Sequence, residues 1–312
     1  TRPTAVTTGH YGQSFPNTDS YAGMNASEIA QIQYYLKDRL NTGDVTVEII
    51  DPAGKKVASF PGTKRKGINV VRWDLRTAPP KAAKGVLVQG EFGVYAGFIG
   101  QMALPGTYKI KLTAGNFSDE GELKLIPDPV QPDLEYAKRH AMSNELFKLV
   151  EDLGLLVAQV QNVKDSTDRR AAQVKDKKLK NVLTQYSTSL ETFRKTLTET
   201  IESKGITGEQ QLRARLGRLY VFVEISDEMP TQSVPERMKV VQEELSAART
   251  KADLMFGKEL VTINNGLKKE KLAAIAVIDR AEFERQYEKV TTPGAGTGKN
   301  WRTLLEEIEE EE

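Results

Sequence analysis

The spacing of apolar residues changes once along this chain, near residue 133, and this change limits what the chain can fold into. Before it, apolar residues alternate with polar ones, as at Val45, Val47 and Ile49, which is the period of a half-buried strand. After it, they recur every three or four residues, as on one face of an amphipathic helix. The sequence therefore predicts an α+β multidomain protein with strands first and helices second.

Residues 41–130 consist of short strand-like runs separated by glycine and proline turns. The segment 51–54 contains a proline that presets one turn dihedral and a glycine that accepts positive φ. The alternation resumes at Val71, Trp73 and Leu75, and no helical pattern lies between the runs. These features predict an antiparallel immunoglobulin-like β-sandwich over residues 41–130.

A glycine-rich segment at 79–102 interrupts this pattern and carries aromatic residues without clear periodicity. One interpretation is a loop that packs over an open edge of the sandwich. The other is a ligand-contacting loop, because binding residues favour loops on rigid scaffolds. Its candidate ligand residues are Phe92, Tyr95 and Phe98.

Residues 131–290 predict an antiparallel bundle of four to five helices. The expected helices cover 146–163, 179–201 with a stop at Gly205, and 212–223, followed by a final, less regular stretch over 267–287. Between the last two lies a seam of the coiled-coil type, with apolar residues in 3-4-3-4-3 steps. It consists of Met238, Val241, Leu245, Ala248, Ala252 and Met255.

The two ends of the chain differ from both domains. Residues 1–40 are expected to form an N-terminal extension that packs on, or links to, an upstream domain. Residues 291–312 are expected to be a linker and an acidic tail, either mobile or docked as a short helix followed by free glutamates. The residues available for docking are Trp301, Leu304, Leu305 and Ile308.

Composition excludes several function classes. Forty-four basic and forty-three acidic residues leave a net charge of +1, which gives no reason to expect nucleic acid or anionic membrane as the main partner. The absence of cysteine removes disulfides and thiolate catalysis, and it suits an oxidising compartment. The longest apolar run, 153–160, is too short for a transmembrane segment.

Chemical motifs are scarce. The two histidines, His10 and His140, have no second ligand at metal-binding spacing. The glycine-rich stretch 294–299 has no preceding apolar strand and no following Ser or Thr, so it is interpreted as a linker, not a phosphate-binding loop. Asp51, Asp74 and Glu91 are carboxylates that folding could bring together. We predict no catalytic residues, no cofactor-binding residues and no metal ligands.

Several short sequence segments, taken together, resemble the region that follows the β-propeller in exported bacterial sortilin-like, BNR-repeat proteins, which are often labelled glycosyl hydrolases. The matching segments in the first half of the chain are YAGMN at 21–25, IQYYL at 32–36, VEIID at 47–51, GINVVRWDL at 67–75, LPGTY at 104–108 and Asp128-Pro129. In the second half they are LGRLY at 216–220, MPT at 229–231 and INN at 263–265. The resemblance implies an upstream propeller and an exported location (periplasm, outer-membrane surface or secreted). It also implies that any catalysis takes place in that propeller.

The sequence is compatible with three functions. The first is a non-catalytic structural and protein-interaction module, in which the sandwich packs against the propeller and the bundle presents a surface to another envelope protein. The second is a carbohydrate-binding accessory region of a propeller-type glycosidase, which requires exposed aromatic side chains. The third is an enzyme in its own right, which requires a convergent polar constellation. The first is the prediction, and the second is its main alternative.

Overall fold

The computed structural model describes residues 4–5, 29–84, 92–129, 135–199, 210–226 and 229–291. It confirms the α+β class: the strands precede residue 127 and the α-helices follow residue 135. We call residues 29–126 the strand region and residues 136–291 the helical region. His10, Glu91, Gly205, residues 294–299 and the tail residues from Trp301 lie outside the described residues.

The described strands form two sheets. One short strand, β1 (Thr4–Ala5), precedes the strand region, which contains β2 (Ala30–Leu36), β3 (Val45–Ile50), β4 (Lys56–Pro61), β5 (Gly67–Trp73), β6 (Gly106–Ala114) and β7 (Phe117–Ile126). One sheet has the order β1-β7-β6-β3-β4 and the other pairs β2 with β5. All these pairs are antiparallel except β1 with β7, which is parallel.

The two sheets share one apolar core, to which both β2–β5 and β3–β6–β7 contribute buried residues. Trp73 is fully buried there, and its ring meets that of Tyr108 edge-on at 5.4 Å between centroids. The indole N–H of Trp73 donates to the carbonyl of Arg76 at 2.7 Å, so its polar atom is satisfied inside the core. Strand β2 falls within the stretch predicted as an N-terminal extension, yet Ala30, Ile32 and Tyr34 alternate into this core.

The helical region begins with a helix of 38 residues. Its elements are α1 (Tyr136–Gln173), α2 (Lys177–Thr198), α3 (Leu212–Ile225), α4 (Ser233–Leu254), a π-helical segment (Met255–Glu259), α5 (Leu260–Lys269) and α6 (Arg280–Thr291). Helix α1 packs against α2, α3 and α4. The stretch 267–287, predicted as one helix, instead comprises the end of α5, a non-helical segment and most of α6.

The π-helical segment keeps one apolar seam in the core along α4 and α5. The buried positions Val241, Leu245, Ala252 and Met255 follow the predicted 3-4 spacing, and the next buried position, Leu260, comes after a step of five. One extra residue rotates the helix positions that follow it by about 100° around the helix axis. The π-helical segment therefore returns the apolar residues of α5 to the side of the helix that faces the core. The Tyr186 hydroxyl donates to the carbonyl of Met255 at 3.1 Å, within the bulge.

The described parts of the glycine-rich segment 79–102, residues 79–84 and 92–102, pack into the helical region. Its Ala83, Ala96 and Ile99 belong to the same buried cluster as the helices, and its 3₁₀-helix (Phe92–Gly97) lies against α3. The backbones approach so closely that a Cβ on Gly217 would stand 2.2 Å from the carbonyl oxygen of Gly93. Apolar burial and paired glycines therefore place this segment on the helices.

Replacing Gly217 by alanine tests this close approach. We expect Gly217→Ala to lower the free energy of unfolding by about 1–3 kcal/mol, because overpacking outweighs the better helix propensity of alanine. Gly257→Ala is the matched control, since a Cβ there meets nothing within 4 Å. Urea unfolding followed by circular dichroism measures both; equal stability of the two variants would contradict the packing described here.

Candidate functional site

A buried polar junction joins the strand region to the helical region. Strand β5 ends at Trp73, and Leu75 then adopts a φ of 60°, an uncommon conformation for a buried, branched residue. The next residue, Arg76, pairs in an isolated bridge with Met102. This reversal brings the Arg76 side chain to the C-terminal end of α3.

Arg76 and Glu224 form a buried ion pair at this point. Arg76 Nη1 lies 2.9 Å from Glu224 Oε2, and their side chains are only 6% and 4% exposed. Arg76 also donates from Nη1 to the carbonyl of Gly100 at 2.8 Å and from Nη2 to that of Glu224 at 3.0 Å. A buried ion pair holds its charge only when such additional hydrogen bonds replace lost water.

The Glu224 carboxylate is satisfied from both regions. The backbone N–H of Met102 donates to Oε2 at 2.9 Å, and the Ser143 hydroxyl of α1 donates to Oε1. Gln101 Nε2 in turn donates to Ser143 Oγ at 3.0 Å. The carboxylate is thus held by the strand region on one side and by α1 on the other.

A second arginine neutralises the end of α3. Arg139 of α1 donates from Nη2 and Nε to the carbonyl of Val223, at 2.8 and 3.0 Å. The last carbonyls of a helix lack intrahelical partners and carry partial negative charge, so guanidinium groups are stabilising there. Arg76 and Arg139 therefore act together as a C-terminal cap on a helix end that also carries Glu224.

Two titratable groups beside the junction are perturbed by burial. Desolvation raises the pKa of the Asp74 carboxyl, opposed by the nearby charge of Arg76. Burial also raises the pKa of the Tyr220 hydroxyl well above its usual value, with the Glu224 charge adding to the effect. That hydroxyl donates to the carbonyl of Ile99 at 2.8 Å, which gives it a structural role in holding segment 79–102 on α3.

The junction contains charged and polar groups of the kind found in chemical sites, but these groups are buried from solvent. Its charged groups are bonded to protein groups, and a separate cavity between α1 and α3, bordered by Ala82, Gly93, Arg213 and Gly217, has a volume of about 20 Å³. That volume holds about one water molecule, which is too small for a substrate. Asp51, another candidate carboxylate, accepts the N–H groups of Ala53 and Lys55 in its turn.

The structure separates the three predicted ligand residues. Phe92 begins the 3₁₀-helix, and its side chain lies outside the described residues. Tyr95 is half-buried and packs against the core of the helical region. Phe98 is 57% exposed, so it is the predicted ligand residue whose described side chain is accessible.

An apolar surface that sequence reasoning missed lies on the two-stranded sheet. We call it the outer sheet face; its exposed residues are Gln31, Gln33, Tyr35, Ile68, Val70 and Arg72. Tyr35 and Ile68 are register partners, 65% and 73% exposed, and Val70 beside them is 43% exposed. The sequence contained a signal for this surface, because β5 carries apolar residues on both of its sides. A half-buried strand needs apolar residues on one side only.

Among the described residues, no three His, Cys, Asp or Glu side chains come together as potential metal ligands, and His140 is half-buried on α1. None of the described helices is long and apolar enough to cross a membrane.

Comparisons with protein-family models, curated proteins and solved structures give no match to this chain. No family is therefore assigned. The candidate features are the buried junction, the exposed Phe98 and the outer sheet face.

Breaking one partner of the junction tests its contribution. We expect Arg76→Met to destabilise the protein by about 3–5 kcal/mol, because it leaves the Glu224 carboxylate buried without its cation. The double variant R76M/E224M should recover part of that loss, since it removes both charges. Denaturant unfolding measures all variants.

A surface ion pair provides the matched control. Lys56 and Glu48 are 3.0 Å apart, with side chains 59% and 24% exposed. Lys56→Met should cost below about 1 kcal/mol, as exposed pairs do. An Arg76→Met effect no larger than that of Lys56→Met would mean that the junction does not stabilise the fold.

Proposed function

We propose that this chain is a non-catalytic structural and protein-interaction module of a larger exported bacterial cell-envelope protein. The observation that carries the proposal is that the buried polar groups of the junction bond to other protein groups. The Arg76 and Glu224 side chains join the two regions, are only 6% and 4% exposed, and are hydrogen-bonded to other protein groups. A module that holds two surfaces in a fixed relation needs such a connection, whereas an enzyme needs charged groups open to a substrate.

The proposal includes a finer fold. The two sheets form an immunoglobulin-like sandwich, and the helices form an antiparallel bundle of four to five members. Support for the sandwich is the single core shared by both sheets, with Trp73 at its centre. Support for the bundle is the continuous buried cluster that α1, α2, α3, α4 and α5 share.

The proposed partners are the chain's own upstream propeller or another envelope protein. The sequence segments that resemble propeller-bearing proteins support the upstream propeller as the partner. The absence of cysteine suits the exported location. Exposed apolar side chains on the helices, which this function calls for, include Val240, Leu254 and Val261. They are isolated positions, so they support a protein-binding helical surface without marking its centre.

The native protein provides the direct test. An antibody raised against this chain should detect, in the envelope fraction of source cells, a polypeptide much larger than the 34.7 kDa of this sequence. The reason is that the proposed module belongs to a propeller-bearing parent. Immunoblotting of cytosolic, periplasmic and membrane fractions gives mass and location together. A single cytosolic band near 34.7 kDa would refute the larger exported parent.

Carbohydrate binding is the second candidate function, and the exposure of Phe98 favours it. Sugar rings stack on accessible aromatic faces, and Phe98 offers one beside the half-buried Tyr95. If this function holds, Phe98→Ala should abolish retardation of the protein in affinity gels containing cell-wall polysaccharide. Phe117→Ala is the control, because Phe117 is 78% exposed on the β6–β7 hairpin. Absence of retardation for the unmodified chain, or equal loss in both variants, would exclude Phe98 as a sugar platform.

A further inference from the structure

Exposed lysines from two segments far apart in the chain gather at one end of the helical region. One segment connects α1 to α2, and the other closes the C-terminal end of α5. We call this surface the basic end. Its exposed lysines are Lys175, Lys177, Lys178, Lys180, Lys268, Lys269 and Lys271.

Contacts between the two segments hold the basic end together. The Leu179 side chain fills the space beside Gly266, where an added Cβ would stand 2.8 Å from Leu179 Cδ1. Nearby, Arg170 Nε in the last turn of α1 donates to the carbonyl of Ala273 at 2.8 Å. The turn between α1 and α2 therefore lies beside the end of α5, and the lysines of both segments share one surface.

Carboxylates offset only a small part of this charge. The two segments contain Asp176 and Glu270, and Asp176 Oδ1 accepts the backbone N–H of Lys178 at 2.9 Å as the N-cap of α2. None of the lysines of the basic end forms an ion pair within the described part of the chain. Their positive charge is therefore in excess at this surface.

The elements around the basic end do not cancel the excess. Residues 164–170, the last turns of α1, contain two aspartates, one lysine and two arginines, and Asp168 pairs with Lys164 at 3.0 Å. Residues 181–190, 260–267 and 272–278 contain no charged side chain. The whole chain has a net charge of +1, so the fold concentrates positive charge here that the composition does not reveal.

Helix stability does not explain the lysines of α2. The N-terminal end of a helix carries partial positive charge, so acidic side chains are favourable there and lysines are not. Lys177, Lys178 and Lys180 occupy that end of α2, and its first turn contains no acidic residue. Lys177 and Lys180 are also three positions apart, where like charges repel each other. Charges that oppose local stability in this way are expected where function requires them.

A lysine also replaces the residue that usually ends a helix. Lys271 has a φ of 58°, in the left-handed region that favours glycine. Its N–H donates to the carbonyl of Lys268 at 3.1 Å, and the N–H of Leu272 donates to that of Leu267 at 3.0 Å. These two bonds close the end of α5 in the manner for which glycine is the common residue. The basic end thus keeps a positive charge at a second position where the backbone favours another residue.

We infer that the basic end binds the surface of an anionic lipid bilayer. Each lysine close to such a surface strengthens binding about fivefold. The lysines lie on turns at the end of the helices, where they can meet a plane of head groups together. Leu179 and Leu272 pack against the core, so the contact is electrostatic and their side chains do not insert into the bilayer.

Nucleic acid matches the basic end less well. Residues 174–180 and 266–273 contain no aromatic side chain on which bases could stack, and their cations are all lysines. Arginine is the residue that most often reads base edges. The bilayer contact is additional to the protein-interaction role proposed above and does not depend on it.

Co-sedimentation of the full chain with lipid vesicles tests the inference. The chain should sediment with phosphatidylcholine vesicles that contain about 30% phosphatidylglycerol, and not with phosphatidylcholine alone. Binding should weaken steeply as the salt concentration rises, because salt screens exposed charges. The variant K177Q/K178Q/K180Q should lower the partition coefficient about a hundredfold, since it removes three of the contributing charges.

The matched control removes the same charge elsewhere. Lys55, Lys124 and Lys239 are exposed on the β3–β4 turn, β7 and α4, outside the basic end. The variant K55Q/K124Q/K239Q should change the partition coefficient by less than about threefold, because charges beyond a Debye length from the bilayer contribute little. Circular dichroism verifies that both variants are folded.

Three results would overturn the inference. The first is a chain that does not sediment with the anionic vesicles, or that loses binding equally in both triple variants. The second is tighter binding to a DNA duplex than to the vesicles at equal salt and equal phosphate concentration, which would assign the lysines to nucleic acid. The third is a K177Q/K178Q/K180Q variant that unfolds at lower urea concentration than the unmodified chain, because removing charges that oppose the helix dipole should not destabilise α2.

Discussion

The ion pair between Arg76 and Glu224 connects two residues 148 positions apart in the chain. Removing two charges from water is costly, so the pair is stable only because backbone groups of Gly100, Met102 and Glu224, together with the Ser143 hydroxyl, complete its hydrogen bonding. Those groups come from both the strand region and the helical region. The two regions must therefore meet in one relative position for the charges to be buried at an acceptable free-energy cost.

Much of the surrounding structure follows from that requirement. The described parts of segment 79–102 contact the helical region, and Gly93 there allows backbone contact where a side chain would force separation. Tyr220 and Arg139 then use their polar atoms on neighbouring carbonyls, so the helix end that receives the ion pair is closed to solvent. A buried network whose polar groups are satisfied in this way makes the junction rigid.

The two sides of β2 and β5 have different roles. The inner side, with Trp73 and Tyr34, belongs to the core shared by both sheets. The outer side presents Tyr35 and Ile68 to solvent.

The sequence by itself determined the order of strands and helices, the seam from Val241 to Met255 and the turn at 51–54, because these depend on local periodicity and on residue-specific backbone preferences. It did not determine the pairing of β2 with β5, the step of five at the π-helical segment or the meeting of Arg76 with Glu224. Periodicity reports which side of an element is apolar, but not which element that side will face. Only the tertiary structure decided those contacts, since each depends on groups distant in sequence whose burial is favourable only when they arrive together.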